Sequence, residues 1–133
     1  MMLKENDVKE FLEGHNITYC EKSTVWGVVF PSKTTYLFGA VATALSMQYF
    51  TLHFNNDGIA IIGINNVTGK IEQRAFAFVP NSEIRGIQFQ KKMMSYELQI
   101  TTTKGNLVYK VNKSMVGTSW HKENLAYILK RFS

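Results

Sequence analysis

The clearest pattern in the chain is an alternation of apolar and polar side chains with a period of two residues. Leu98 and Ile100, for example, alternate with Gln99 and Thr101. Because successive side chains of a β-strand point to opposite faces of its sheet, this spacing predicts a strand with one buried face. Similar short segments recur at intervals of about ten residues, which is typical of a β-sandwich or β-barrel. We therefore predict antiparallel strands across residues 49–112.

Residues that favour turns separate these strands. The segments Asn56–Gly58 and Lys104–Gly105 contain residue types that tolerate a positive φ, so each predicts a tight hairpin. The segment Ile59–Ile64 is apolar at every position that carries a side chain. Strands of this kind are buried on both faces, so we expect a helix or a second sheet to cover its second face. A less regular first strand is predicted around Val25–Phe30.

A period near 3.6 residues predicts two helices. Val8, Phe11 and Leu12 form a narrow apolar stripe near the start of the chain, and Gly14 suits the position just after the helix end. A longer stripe predicts a C-terminal amphipathic helix, and its members are Leu125, Ile128, Leu129 and Phe132. This stripe must be buried, and the open end of the barrel is the nearest apolar surface for it.

The segment from Tyr36 to Met47 carries no charge and is rich in alanine. It is shorter than the about 20 apolar residues that a helix needs to cross a bilayer. Two interpretations remain open for it. The segment is either a buried helix in the connection between two strands, or a contact surface for an oligomer or a membrane interface. The candidate contact residues are Leu37, Phe38, Val41 and Leu45.

The composition fits one globular domain that spans residues 1–133. Hydrophobic residues make up 45% of the chain and charged residues 19%, which is typical of a folded rather than a disordered chain. Residues 1–48 contain the N-terminal helix, the first strand and the apolar connecting segment. Residues 49–112 contain the antiparallel strands, and residues 118–132 form the capping helix.

Charge and cysteine content restrict the class of protein. The net charge is +5, but the basic residues are spread along the chain rather than clustered, so we expect no nucleic-acid partner. Cys20 is the sole cysteine, which excludes an internal disulfide and fits a reducing, cytoplasmic compartment. The N-terminal residues also lack the pattern of a secretory signal.

The residues that usually carry chemistry are scattered. His15, His53 and His121 lie on three different predicted elements, so we expect them to be surface or half-buried histidines rather than metal ligands. Cys20 lies close to His15 in sequence, but nothing in the spacing brings the two side chains together. No phosphate-binding glycine motif is present. The sequence therefore predicts a protein that is not an enzyme and holds no metal or cofactor.

One predicted hairpin tip carries Lys91, Lys92, Met93 and Met94 in succession. The lysines could attract anionic lipid headgroups while the methionines insert shallowly into the membrane. In the alternative interpretation, the methionines fold back onto the barrel and the lysines are only solvated.

Three further lysines follow in the same region. Lys110 and Lys113 lie near the returning strand, and Lys104 lies at the preceding turn. They could extend a basic patch, or they could protect a sheet edge from pairing with another chain.

The order of the predicted elements resembles that of a family. Seven strands followed by one C-terminal helix resemble the pleckstrin-homology (PH)-like domains, in particular the small bacterial ones of unassigned function. The matching segments are the hairpin that begins at Tyr49, the turn from Pro80 to Ile87, the strand pair from Tyr96 to Tyr109 and the terminal helix. The resemblance covers about two-thirds of the chain, from Tyr49 to Phe132. It implies two packed sheets with the final helix at one end, and a binding role.

These observations predict a mainly β protein with flanking helices. Its architecture is a PH-like barrel or sandwich of about seven antiparallel strands, capped by a C-terminal amphipathic helix. We expect a non-catalytic binding or scaffolding module that acts through a protein partner or through self-association. The alternative is peripheral binding to anionic lipid through the Lys91–Met94 loop, with a membrane-peripheral location.

Overall fold

The computed structural model describes residues 3–35, 48–115 and 118–132. Two helices flank the strands: α1 spans Glu5–Gly14 and α2 spans Ser119–Arg131. The strands are β1 Thr24–Val29, β2 Tyr49–Asn55, β3 Gly58–Ile64, β4 Ile71–Pro80, β5 Ile84–Lys91, β6 Ser95–Thr102 and β7 Gly105–Asn112. A short 3₁₀ turn, Asn81–Glu83, separates β4 from β5. The apolar segment 36–47, with its four candidate contact residues, lies outside the described ranges.

All seven strands belong to one antiparallel sheet in the order β4-β3-β2-β1-β7-β6-β5. Apart from the pairs that involve β1, each neighbouring pair is joined by a short hairpin. The strand β1 pairs with both β2 and β7, so it joins the first half of the sheet to the second. The prediction of a mainly β fold with flanking helices is confirmed, and it is consistent with a PH-like sandwich or barrel.

The hairpin between β2 and β3 forms as the sequence predicts. The side-chain Oδ1 of Asn55 accepts hydrogen bonds from the backbone N–H groups of Asp57 and Gly58, at 2.8 and 2.9 Å. An asparagine side chain that bonds to the backbone two residues ahead closes the turn by itself. Gly58 has no room for a side chain, because a Cβ there would lie 2.1 Å from the carbonyl oxygen of Val79 on β4.

The main core lies between the two halves of the sheet and under α2. Leu125 and Ile128 of α2 are buried in it, and Leu129 and Phe132 pack against it, so the predicted C-terminal stripe is confirmed. The ring of Phe132 lies 5.3 Å from that of Phe54 on β2 and 6.3 Å from that of Phe89 on β5. The C-terminal end of the chain therefore closes the gap between the two halves.

A second apolar cluster, which we call the outer cluster, lies on the opposite face of the first half of the sheet. Val8 and Leu12 of α1 are fully buried there against Ala60 and Ile62 of β3. Leu3, Trp26 and Ile64 complete its buried part. The strand β3 is buried along its whole length because the main core covers one face and α1 covers the other. This confirms the expectation that something covers its second face.

The prediction for Gly14 is wrong, and one of the two alternatives left open for Lys110 is excluded. Gly14 is the last residue of α1, and the positive φ that ends the helix region occurs at Asn16, at 59°. Asparagine is one of the few residues other than glycine that tolerate this conformation, so it takes the role. The strand β7, which carries Lys110, lies inside the sheet between β1 and β6. Lys110 therefore does not protect a sheet edge.

Candidate functional site

The predicted tip Lys91–Met94 lies at the hairpin between β5 and β6. Lys91 is the last residue of β5, and β6 begins at Ser95. The backbone N–H of Lys92 donates a hydrogen bond to the carbonyl oxygen of Ser95 at 2.9 Å. Met93 and Met94 therefore form the turn itself, where their side chains have no neighbouring strand to cover them.

The two methionines of this turn are exposed. Met93 is 88% exposed and Met94 is 75% exposed. Met115, by contrast, is partly buried and packs against the outer cluster. The interpretation that Met93 and Met94 fold back onto the barrel is therefore wrong, because the turn projects them away from the sheet.

The lysines of the tip are also exposed, and their charges are available. Within the described ranges, Lys91 and Lys92 form no salt bridge. Glu97 is a nearby carboxylate, but it is buried and accepts a hydrogen bond from the ammonium group of Lys33 at 2.9 Å. This bond, and a second one from Gln99, lower the pKa of Glu97. The charge of Lys92 also lowers this pKa, but the hydrogen bond from Lys33 is the largest cause.

Lys113 supports the tip from the end of β7. Its backbone N–H donates to the carbonyl oxygen of Met94 at 3.3 Å, and its Nζ donates to that of Met93 at 3.1 Å. The same ammonium group lies 5.7 Å from the centre of the Tyr96 ring. Lys113 therefore fixes the turn and adds a third cation to it. We call Lys91, Lys92, Met93, Met94 and Lys113 the tip surface.

The other two lysines singled out in the sequence do not join the tip surface. The Nζ of Lys104 lies 3.6 Å from a carboxylate oxygen of Glu83 at the far end of β6. Lys110 lies directly opposite Glu97 in the β6–β7 register. Of the three lysines that could extend the basic patch, only Lys113 lies at the tip.

The prediction of surface or half-buried histidines is wrong for His53, which is fully buried. Its Nε2 accepts a hydrogen bond from the backbone N–H of Cys20 at 3.1 Å, so its proton is on Nδ1, which bonds to the hydroxyl oxygen of Thr24 at 2.7 Å. Burial is the main cause that lowers the pKa of His53 to about 4, and the charge of Arg131 adds to it. His53 is therefore neutral, and its hydrogen bonds connect β2 with the segment that precedes β1.

His121 of α2 is also fully buried, which corrects the same prediction. Its Nδ1 accepts a hydrogen bond from the backbone N–H of Trp26 at 3.0 Å, and its Nε2 donates to the carbonyl oxygen of Asn112 at 2.6 Å. Burial lowers its pKa. The ring attaches α2 to β1 and β7, so both of its nitrogen atoms are used in structural hydrogen bonds.

His15 alone of the histidines is exposed, as predicted. Its Nδ1 donates to the carbonyl oxygen of Phe11 at 2.9 Å, and its ring packs against those of Phe11 and Phe76. Across the described ranges, no group of three or more histidine, cysteine, aspartate or glutamate residues could hold a metal ion.

A polar cleft of about 360 Å³ lies between α1, the segment before β1, and α2. Glu5 accepts hydrogen bonds there from Tyr19 and, at 2.7 Å, from the side chain of Asn124. Burial and the nearby Glu5 carboxylate raise the pKa of Tyr19. These bonds connect α1 with α2, so we assign Glu5, Tyr19 and Asn124 a structural role.

Comparison with protein-family models, with curated proteins and with solved structures gives no match for this chain. The PH-like resemblance therefore depends on the order and packing of the elements alone. Among the helices of the described ranges, none has the length and apolar character needed to cross a membrane.

Proposed function

We propose that this chain is a non-catalytic binding module of PH-like architecture that docks on anionic membranes through the tip surface. The observation that carries the proposal is the turn of two exposed methionines, Met93 and Met94, next to exposed lysines. Exposed apolar residues normally occur singly on a soluble domain, whereas an apolar group rimmed by charges often marks an interaction site.

The charges of the tip surface favour an anionic partner. Lys91 and Lys92 precede the methionines, and Lys113 is held against the same turn by two hydrogen bonds. Each cation near an anionic bilayer contributes about 1 kcal/mol. Three cations alone would therefore give a weak interaction of about 3 kcal/mol, which corresponds to a Kd in the millimolar range.

The methionines would add an apolar contribution to this attraction. Removal of an apolar side chain from water contributes about 1.5–3 kcal/mol when burial is complete, and less for shallow insertion. The flexible side chains of Met93 and Met94 can adapt to an irregular lipid surface. A single domain is thus expected to bind reversibly, and more than one domain per particle would increase the apparent affinity.

Co-sedimentation with vesicles tests this proposal. We expect the protein to sediment with phosphatidylcholine vesicles that contain phosphatidylserine, and not with pure phosphatidylcholine. Added salt should weaken the binding, because the Debye length falls to about 8 Å at physiological ionic strength. The double variant Lys91→Gln/Lys92→Gln should reduce the bound fraction at low salt. The double variant Met93→Ser/Met94→Ser should reduce it at every salt concentration.

A matched control uses another exposed turn. Val67, which is 89% exposed, and Lys70 lie in the turn between β3 and β4. The variant Val67→Ser/Lys70→Gln removes one apolar group and one cation there, and it should sediment like the unchanged protein. Binding that does not respond to salt, or that survives the change of both tip lysines, would reject the proposal.

The expectation of a protein partner or of self-association remains a separate prediction. It depends on Leu37, Phe38, Val41 and Leu45, which lie outside the described ranges. Light scattering at high protein concentration tests it. A monomer whose molar mass is unaffected by a charge introduced at Ala42 would contradict self-association through this segment.

A further inference from the structure

The tip surface contains a reactive group that the docking proposal does not itself use. Methionine is a thioether, which peroxides oxidise to the sulfoxide, and exposure controls how readily this happens. Met93 and Met94 are 88% and 75% exposed, whereas Met115 is partly buried in the outer cluster. The turn therefore places two accessible thioethers at the position that we propose meets the lipid.

We propose that Met93 and Met94 form an oxidation site, and that hydrogen peroxide releases the domain from anionic membranes by oxidising them. This inference rests on the proposed function. The sulfur of each methionine attacks one oxygen of the peroxide, so an S–O bond forms and the O–O bond breaks. The sulfur loses two electrons and becomes a sulfoxide, and hydrogen peroxide is reduced to one molecule of water.

The change in polarity explains the release. A sulfoxide is polar, so its insertion among lipid chains costs free energy that the thioether does not cost. The charges of Lys91, Lys92 and Lys113 are unaffected, so the weak electrostatic attraction remains. We expect the oxidised protein to bind at least roughly tenfold more weakly than the reduced protein, since loss of about 1.4 kcal/mol of apolar contact has this effect.

The reaction is chemically reversible. Methionine sulfoxide reductases restore the thioether, with one enzyme class for each of the two sulfoxide epimers. Treatment of the oxidised protein with both classes should therefore return the bound fraction to its starting value. Partial recovery with a single class is expected, because peroxide produces both epimers.

The experiment compares reduced and peroxide-treated protein in the vesicle assay described above. Mass spectrometry of the peptide that contains Met93 and Met94 should show the gain of one oxygen atom per methionine before the Met115 peptide changes. The control variant Met93→Leu/Met94→Leu keeps apolar side chains of similar volume but has no sulfur at the tip. The bound fraction of this variant is measured before treatment, and peroxide should leave that fraction unchanged, whereas it should lower the bound fraction of the unchanged protein.

The outcomes separate this inference from the docking proposal. If the reduced protein does not bind anionic vesicles, the proposed function fails and the inference fails with it. If the reduced and oxidised proteins bind equally, the docking proposal stands and the inference is overturned. The inference is also overturned if the leucine variant loses its binding on oxidation, because the sensitive group would then lie elsewhere in the chain.

Discussion

Individual buried polar residues hold distant parts of this chain together. The hydrogen bond between His121 and the backbone of Trp26 connects residues that are 95 positions apart in sequence. The bond between His53 and the backbone of Cys20 spans 33 positions. In each ring one nitrogen accepts and the other donates, an arrangement that only a neutral imidazole can provide.

The stability of the protein should therefore decrease in mild acid. The pKa of His53 lies at about 4 in the folded protein and at 6.5 when it is unperturbed. Between these values the unfolded chain binds a proton that the folded chain excludes, so the free energy of unfolding falls as the pH falls from about 6.5 to 4. Protonation of His53 should lower the free energy of unfolding by about 3 kcal/mol in total over this pH range. Urea denaturation at a series of pH values measures it.

Two variants provide the comparison for this prediction. His53→Gln retains a donor and an acceptor but cannot titrate, so its stability should depend less on pH between 7 and 5. His15→Gln makes the same substitution at an exposed position and controls for the change of residue type itself. Parallel curves for His53→Gln and the unchanged protein would show that His53 does not contribute.

The hairpin glycine Gly58 should be intolerant of any side chain. A Cβ at this position would lie 2.1 Å from a backbone oxygen of Val79 and 2.9 Å from the Cα of Pro80. Neither backbone atom can move without disturbing the β3–β4 pairing. We expect Gly58→Ala to lower the free energy of unfolding by at least about 2 kcal/mol, as measured by chemical denaturation.

Gly86 of β5 is the matched control for Gly58. A Cβ at Gly86 would meet no atom within 4 Å. We therefore expect Gly86→Ala to change stability by no more than about 0.5 kcal/mol. Equal effects of the two substitutions would contradict the close approach of β4 to the hairpin.

At the scale of elements, α1 acts as a cover for the outer face of the sheet. Its stripe contains Val8 and Leu12, which are fully buried, and Phe11, which packs against the same cluster. An isolated helix of ten residues is marginal in water, so its stability comes from this packing rather than from its own sequence.

Substitution of Leu12 measures how strongly α1 is attached. Leu12→Ala removes a fully buried side chain and leaves a cavity, so we expect a loss of about 2–5 kcal/mol in the free energy of unfolding. Glu13→Ala, at the neighbouring exposed position, should change stability by less than about 0.5 kcal/mol. A loss below about 1 kcal/mol for Leu12→Ala would show that α1 can leave the sheet at little cost.

At the scale of the whole molecule, the sequence predicts the elements better than their arrangement. Alternation and turn residues identify β2 to β7, and the apolar stripe identifies α2, because these signals are local. They do not reveal that β1 lies between β2 and β7, since that placement depends on pairings between distant segments. The burial of His53 and His121 was missed for the same reason.

The candidate site was predictable to the same extent. Lys91, Lys92, Met93 and Met94 are consecutive, so the sequence alone placed them on one tip. Their exposure was left open, because it depends on whether the turn bends toward the sheet. Lys113 reaches the tip only through the pairing of β6 with β7, which sets Ser95 opposite Asn112. The charge of the tip surface is thus a product of the fold as well as of the local sequence.

The double burial of β3 also has a consequence for the protein during its synthesis and turnover. The segment from Ile59 to Ile64 is uncharged, rich in isoleucine and free of proline, a composition typical of sequences that stack into amyloid-like assemblies. The helix α1 shields the outer face of this segment. Proteolytic removal of α1 would expose the outer face of this strand, so we expect the truncated protein to aggregate more readily than the intact one.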